Sequence, residues 1–235
     1  MKVISDNEVE SILLRDSNDY RQYIGRRLRA IYFDGAGVWQ KEKIIYDDPF
    51  SCYGDIRPMT CFTEKVKIVK VIATNPYREQ HHSVSVGATL LLDQRENFPT
   101  HIFEATAMSG IRTAAMVAWA ASACPSAQEI LIVGKGRVGN YINRLLSETT
   151  DYEIKMLDTD YQTARKVQFD QDIIITATNS LKPFITAENC TSKYVISVGA
   201  DTHFNRELST NFLENKNIYV DIEEAKEVGD LEHFE

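Results

Sequence analysis

The period of apolar and polar positions changes near residue 126. Beyond it, short apolar runs recur at Glu129–Val133, Glu153–Leu157, Asp172–Ala177, Tyr194–Val198 and Ile218–Asp221. Runs of this length, rich in β-branched residues, predict buried strands. Between the first of them lie segments of helical pattern. Tyr141, Ile142, Leu145 and Leu146 share one face at helical spacing, and Asp160–Phe169 predicts a further helix. Strands alternating with helices predict an α/β domain: a doubly wound parallel sheet with helices on both faces.

The first half has another pattern. Ser5-Asp6-Asn7-Glu8 has the form of a capping box and predicts a short helix carrying Val9, Ile12 and Leu13. A second helix is predicted across Tyr20–Phe33, ending at the turn signals Asp34-Gly35-Ala36-Gly37. Strand-like segments follow at Val66–Ala73, Ser83–Leu92 and Thr100–Phe103, joined by loops that hold Asn75-Pro76 and Glu96-Asn97-Phe98-Pro99. This half reads as an N-terminal α+β domain with mainly antiparallel strands. Thr106–Ala123 is a helix dense in alanine, ended by Cys124-Pro125, and it links the halves. The expected domains are 1–112 and 113–235.

Composition narrows the class. Lys and Arg number 26 against 34 Asp and Glu, a net charge of −8, which argues against a nucleic-acid or anionic-membrane partner. No apolar run approaches membrane-spanning length, and Met1-Lys2-Val3-Ile4 turns polar at once. Cys52, Cys61, Cys124 and Cys190 form no paired or metal-ligand spacing, so free thiols in a reducing cytoplasm are expected. His81-His82 lacks a third ligand at a supporting spacing, and no metal site is expected. The acidic residues Asp221, Glu223, Glu224, Glu227, Asp230, Glu232 and Glu235 read as a solvated face.

Chemistry enters with Gly134-Lys135-Gly136-Arg137-Val138-Gly139, which follows the first apolar strand and opens the first helix. In this G-x-G-x-x-G, Gly134 permits a tight turn, Gly136 lets the backbone approach a pyrophosphate, and Gly139 allows close helix–strand packing. The helix start offers N–H groups and a positive dipole end to phosphate. Strand, loop and helix together predict a Rossmann-type dinucleotide site. Asp158, nineteen residues after Gly139, suits a ribose 2′-hydroxyl and would repel a 2′-phosphate. Thr159 stands where a phosphate-binding arginine might otherwise follow. NAD is therefore expected over NADP.

Several stretches, in order, now resemble the ornithine cyclodeaminase/mu-crystallin family: Lys70…Asn75-Pro76, the segment Glu104–Ala115 containing Ile111-Arg112-Thr113-Ala114-Ala115, the glycine loop, Thr176-Ala177-Thr178-Asn179, and Ser197-Val198-Gly199-Ala200-Asp201. The likeness covers most of residues 55 to 235. It implies a homodimeric, nicotinamide-dependent oxidoreductase acting at the α-carbon of a small amino or imino acid. Ammonia loss with cyclisation is one variant. Amino-acid or opine-type dehydrogenation and ketimine reduction are others, and a non-catalytic nucleotide-binding protein is a further class. The N-terminal domain would bind substrate and carry the dimer contact, and the C-terminal domain would bind NAD.

The resemblance also assigns residues. Arg112 matches the arginine that binds the substrate carboxylate; from chemistry alone it reads as a solvated helix residue. Lys70 matches a substrate-contacting lysine; alone it reads as an edge-strand lysine that blocks sheet pairing. Asp201 matches an aspartate placed to take a proton from the amine or to activate water, and a helix-capping role ahead of Arg206–Leu213 is the alternative. Thr176, Ala177 and Thr178 join Gly134, Gly136, Arg137, Val138, Gly139 and Asp158 as expected cofactor contacts. A second family arginine, expected some fifteen residues before Met59, has no counterpart, and only Lys41 and Lys43 lie near that place. Family members commonly continue several dozen residues past Val228-Gly229-Asp230-Leu231, so a short variant or an incomplete family fold is expected.

Overall fold

The computed structural model describes residues 1–32, 39–40, 46–47, 55–63, 65–75, 85–158, 160–200, 202–214, 216–221, 223–232 and 234. The chain divides into two compact units, Met1–Arg112 and Thr113–Glu235. His81-His82, Thr159, Asp201 and the turn at Gly35 and Gly37 lie outside the described residues. No helix among the described residues is long and apolar enough to cross a membrane.

The first unit opens with β1 (Lys2–Ile4), α1 (Asp6–Leu13) and α2 (Ser17–Tyr32). The capping box at Ser5 is complete: the Ser5 hydroxyl accepts the Glu8 N–H, and the Glu8 carboxylate accepts the Ser5 N–H at 2.9 Å. Val9 is buried, whereas Ile12 points outward. Short strands β2 (Trp39–Gln40) and β3 (Tyr46–Asp47) precede four longer elements, β4 (Asp55–Phe62), β5 (Lys67–Thr74), β6 (Ser85–Leu92) and β7 (Pro99–Glu104). The sheet order is β1-β7-β6-β5-β4-β2, with β3 also on β4. The long strands are antiparallel, and β1 joins β7 in parallel. Strand β4 escaped the sequence reading because Pro58 interrupts its apolar pattern.

Alternation divides this sheet into two faces. Asp55, Arg57, Ile72, Thr74 and Thr89 are buried on one side. Ile56, Phe62 and Val71, on the other, are 45%, 41% and 41% exposed. Lys70 sits opposite Met59 of β4 and Thr89 of β6, hence on the inner face. The boundary between the units falls within α3 (Thr106–Ser122). Asp6 fixes the start of α3: its Oδ1 accepts the Ala107 N–H at 2.8 Å, while its own N–H donates to Glu104 at 2.6 Å.

The second unit is built on β8 (Glu129–Val133), β9 (Glu153–Leu157), β10 (Ile173–Thr176) and β12 (Tyr194–Ser197), all parallel, in the order β12-β10-β8-β9. Ile130, Ile132, Ile173, Ile174 and Ile175 are fully buried, as expected when both faces are covered. One face meets α4 (Arg137–Thr149), whose Tyr141, Ile142, Leu145 and Leu146 are buried. The expected α/β sheet is present.

Its other face differs from expectation. Asp160–Phe169 is not one helix: α5 spans Tyr161–Ala164, capped by Asp160, whose carboxylate accepts the Thr163 N–H at 2.9 Å. Phe169 is fully buried, and its backbone bonds with Asn189 and Thr191 draw the chain into an extended bridge to Cys190. Helix cannot continue through a residue held in that way. The layer over Leu131, Val133 and Ile174 comes from Phe184 and Ile185 of β11 (Leu181–Ile185), Leu208 of β13 (Arg206–Leu208), and Phe212 and Leu213 of α6 (Thr210–Leu213). Arg206–Leu213 is thus a strand followed by one helical turn. Ile218–Asp221 forms no strand, for Tyr219 is 90% exposed and the run has no buried side.

Candidate functional site

The chain leaves β8 at Gly134, with φ +110°, a left-handed conformation that L side chains rarely adopt. The Gly134 N–H donates to Leu157 O of the neighbouring strand at 2.8 Å. A Cβ on Gly134 would stand 2.4 Å from the carbonyl oxygen of Ala177. One on Gly139 would stand 1.9 Å from Gly134 O, so α4 rests directly on the turn. Gly136 caps α4 without a side-chain hydrogen bond, and a Cβ there would meet no described residue within 4 Å. Open space therefore lies before a helix start whose first N–H groups have the geometry of an anion site. Arg137 is exposed and Val138 half-buried in this first turn. Asn140, missed in the sequence, donates its amide to Lys135 O at 2.7 Å and Gly136 O at 3.0 Å, fixing the loop's carbonyls.

The strand order puts this loop at the point where the connections reverse direction. After β8 the chain crosses to β9 on one side, then returns past β8 to β10 and β12 on the other. Crevices for ligands open at such points, outside the carboxyl ends of the strands. Asp158 follows β9 directly and is exposed. Thr176, by contrast, is fully buried, and its hydroxyl donates to Glu207 at 2.8 Å. The Ala177 N–H donates to Val133 O at 2.8 Å. Thr178 donates to Glu207 through its N–H at 2.7 Å and its hydroxyl at 2.6 Å.

Glu207 gave no signal in the sequence, because these partners lie on β10 and the loop after it, some thirty residues away. Burial pushes its carboxyl above the usual range, against the pull of the Thr178 and Thr176 donors. Nor is the acidic tail simply solvated. Asp230 accepts the N–H groups of Glu207 at 2.6 Å and Leu208 at 2.9 Å. Glu232 binds Arg206 and His203. Desolvation works against ionisation of Glu232, but the hydrogen bonds from Arg206 and His203 prevail and hold its carboxyl below the ordinary range.

In the first unit, Lys70 belongs to a central strand rather than an edge, so a role in blocking sheet pairing is excluded. Its Nζ donates to the Ser109 hydroxyl at 2.7 Å. Arg112 follows Ser109 by one turn of α3, is exposed, and acts on the Tyr20 phenol. Burial raises that phenol's pKa, and the Arg112 charge pulls it down. Opposite Lys70, the buried Thr89 hydroxyl has no hydrogen-bond partner among the described residues, an orphan polar group that a ligand oxygen would satisfy. Arg57 is buried beside Asp55 in a side-on pair, at 2.8 Å and 2.5 Å. No cluster of potential metal ligands occurs among the described residues.

The model of the ornithine cyclodeaminase/mu-crystallin family matches residues 9–170. The chain belongs to this family. Solved structures share its fold. An archaeal alanine dehydrogenase dimer with bound NAD has a TM-score of 0.81 at 22% identity, covering 97% of this chain and 76% of that one. The Delta(1)-pyrroline-2-carboxylate reductase of Thermococcus litoralis, in complex with NADH and L-proline, has a TM-score of 0.74 at 19% identity, covering 90% and 73%. The iminosuccinate reductase of Paracoccus denitrificans, in complex with NAD+, has a TM-score of 0.76 at 13% identity, covering 97% and 77%. No curated protein matches the sequence. Family membership agrees with the resemblance carried by Lys70, Arg112 and the glycine loop.

Proposed function

We propose that this protein is an NAD-dependent oxidoreductase that acts at the α-carbon of a small amino or imino acid. The observation that carries this reading is the glycine turn at the reversal point of the parallel sheet, open at Gly136 and closed tightly at Gly134 and Gly139. Residues 113–235 form the NAD-binding domain, and residues 1–112 form the domain for substrate binding and dimerisation. Gly134, Gly136, Arg137, Val138 and Gly139 face the pyrophosphate, Asp158 receives the ribose 2′-hydroxyl, and Ala177 and Thr178 line the other half. The fit is chemical as well as steric: an uncapped helix start suits phosphate, and a carboxylate suits a free 2′-hydroxyl.

The neighbours named above share a reaction type by name, the interconversion of an α-amino with an α-imino or α-oxo acid. NAD, when bound, supplies the acceptor for the hydride of the α-carbon. On the protein's side, Arg112 presents a planar fork to the substrate carboxylate, and Lys70 adds a point charge. Thr89 offers its unused hydroxyl beside Lys70. Asp201 takes the proton released as the amine becomes an imine. Water then adds to the imine carbon, or a side-chain amine attacks it and closes a ring, and on either route ammonia leaves. Orienting the α-carbon in this way is worth up to about 7–11 kcal/mol of barrier.

A second copy of the chain covers the outer sheet face, where Ile56, Phe62 and Val71 form an exposed apolar surface. Free thiols at Cys124 and Cys190 fit a reducing cytoplasm.

The test is absorbance at the NADH band with a panel of α-amino acids, and of α-oxo acids with ammonia. Turnover with at least one pair is expected, with preference for NAD over NADP. NADH binding without turnover on any member would leave a binding protein instead. Ammonia release from ornithine without net accumulation of NADH would identify the cyclising variant, in which the hydride returns.

A further inference from the structure

Glu207 is fully buried on β13, yet among the described residues no cation is hydrogen-bonded to it. Its carboxylate is met by donors from two different loops. Oε1 accepts the N–H and hydroxyl of Thr178, at 2.7 Å and 2.6 Å, from the loop after β10. Oε2 accepts the Thr176 hydroxyl at 2.8 Å and, from the loop after β12, the Gly199 N–H at 2.9 Å. These loops are packed to the limit. A Cβ on Gly199 would stand 2.1 Å from Thr178 O, just as one on Gly134 would stand 2.4 Å from Ala177 O. A chain of contacts therefore runs from Glu207 through Thr178 and Ala177 to the glycine turn.

The strand order gives this chain a direction. In β12-β10-β8-β9, Asp158 marks the β9 side and the glycine loop follows β8. The loops held by Glu207 follow β10 and β12, on the side away from Asp158. A dinucleotide with its adenosine ribose at Asp158 and its pyrophosphate at the glycine loop extends its second nucleotide over them.

We infer that Glu207 is a positioning residue that holds the loops after β10 and β12 in place for the nicotinamide half of the dinucleotide. The inference rests on the dinucleotide reading above. Glu207 touches no ligand itself, since its carboxylate is enclosed by its own donors. Its two oxygens each serve one backbone N–H, Thr178 on one and Gly199 on the other. A glutamine has a single acceptor oxygen, so in either amide orientation an NH2 group confronts one of these N–H groups. The isosteric Glu207→Gln therefore releases one loop while preserving core volume.

The experiment is titration of NADH and of ADP into wild type and Glu207→Gln, with amide hydrogen exchange read at Thr178 and Gly199. ADP carries only the adenosine half and the pyrophosphate. Glu207→Gln is expected to weaken NADH about tenfold, the order of one lost hydrogen bond to a charged group, and to leave ADP within about twofold. Exchange at Thr178 or Gly199 should quicken. Thr176→Val is the milder companion. Because Thr176 is fully buried, its effect on a ligand passes through Glu207, and a loss of about threefold in NADH alone is expected.

Unchanged NADH affinity in both variants, or parallel loss of NADH and ADP, would overturn the role. Wild-type protein that binds neither ligand would remove the dinucleotide reading, and this role with it. That outcome is distinct because it arises without any substitution.

Discussion

The Lys70 ammonium donates to the Ser109 hydroxyl across 2.7 Å, joining residues 39 positions apart in the chain. Through this bond, Lys70 of β5 meets α3 one helical turn before Arg112. Thr89, opposite Lys70 on the same face, has a hydroxyl without a partner among the described residues.

If Lys70 grips a substrate carboxylate, Lys70→Met removes the charge at little change in length. Its kcat/KM should fall about a hundredfold, within the range for losing one charged group at a reacting site. NADH affinity should stay within about twofold, because Lys70 belongs to the other compact unit. Equal loss of NADH binding would mean that the bond to Ser109 is structural only. Steady-state kinetics with parallel NADH titration decides between these.

Gly139→Ala tests the packing of α4 on the glycine turn. The added Cβ would meet Gly134 O at 1.9 Å, and this neighbour is backbone that cannot swing aside. Overpacking of this kind costs about 1–3 kcal/mol. We expect a lower urea midpoint together with loss of NADH binding. Gly136→Ala should be far milder in stability, since its Cβ meets open space, yet it should also weaken NADH by obstructing the phosphate.

Asp158 should set the cofactor preference. Asp158→Ala is expected to weaken NAD about tenfold, by loss of a charged hydrogen bond to the ribose, and to improve NADP relative to NAD. Fluorescence titration of the two reduced cofactors measures the ratio. An unchanged NAD/NADP ratio would contradict the assignment.

Asp172 makes a pH-dependent contribution. Its Oδ2 accepts the N–H groups of Gln128 at 2.8 Å and Glu129 at 3.1 Å, tying the start of β10 to the start of β8. These bonds, led by the one from Gln128, hold its carboxyl below the usual carboxylate range. A depressed folded-state pKa stabilises above the unfolded value near pH 4, and that contribution is lost as pH falls through the folded value. Asp172→Asn should therefore lower the urea midpoint at pH 6 and converge with wild type in more acidic solution. Asp93 and Asp160 shift the same way, so the comparison with Asn isolates the share of Asp172. A midpoint difference independent of pH would refute the linkage.

Legibility in the sequence followed the range of the interaction. The Ser5–Glu8 capping box closes within four residues and was readable as a pattern. So was the glycine loop, whose requirements at Gly134 and Gly139 arise within one strand–turn–helix unit. The helix expected over Asp160–Phe169 failed because Phe169 is drawn into the core by bonds to Asn189 and Thr191, a long-range preference that helical spacing cannot register. Asp230 looked like one more solvated acid, and only folding brings the N–H groups of Glu207 and Leu208 to it.

The sequence by itself determined the strands of the parallel sheet, the glycine turn and the acid after β9, because apolar period and backbone conformation are set by near neighbours. It carried the family resemblance on the same local motifs. The tertiary structure decided the order β12-β10-β8-β9, the inner face shared by Lys70 and Thr89, and the carboxylate of Glu207 beneath two loops. Those features depend on which distant segments can bury apolar surface together while satisfying every polar group they enclose.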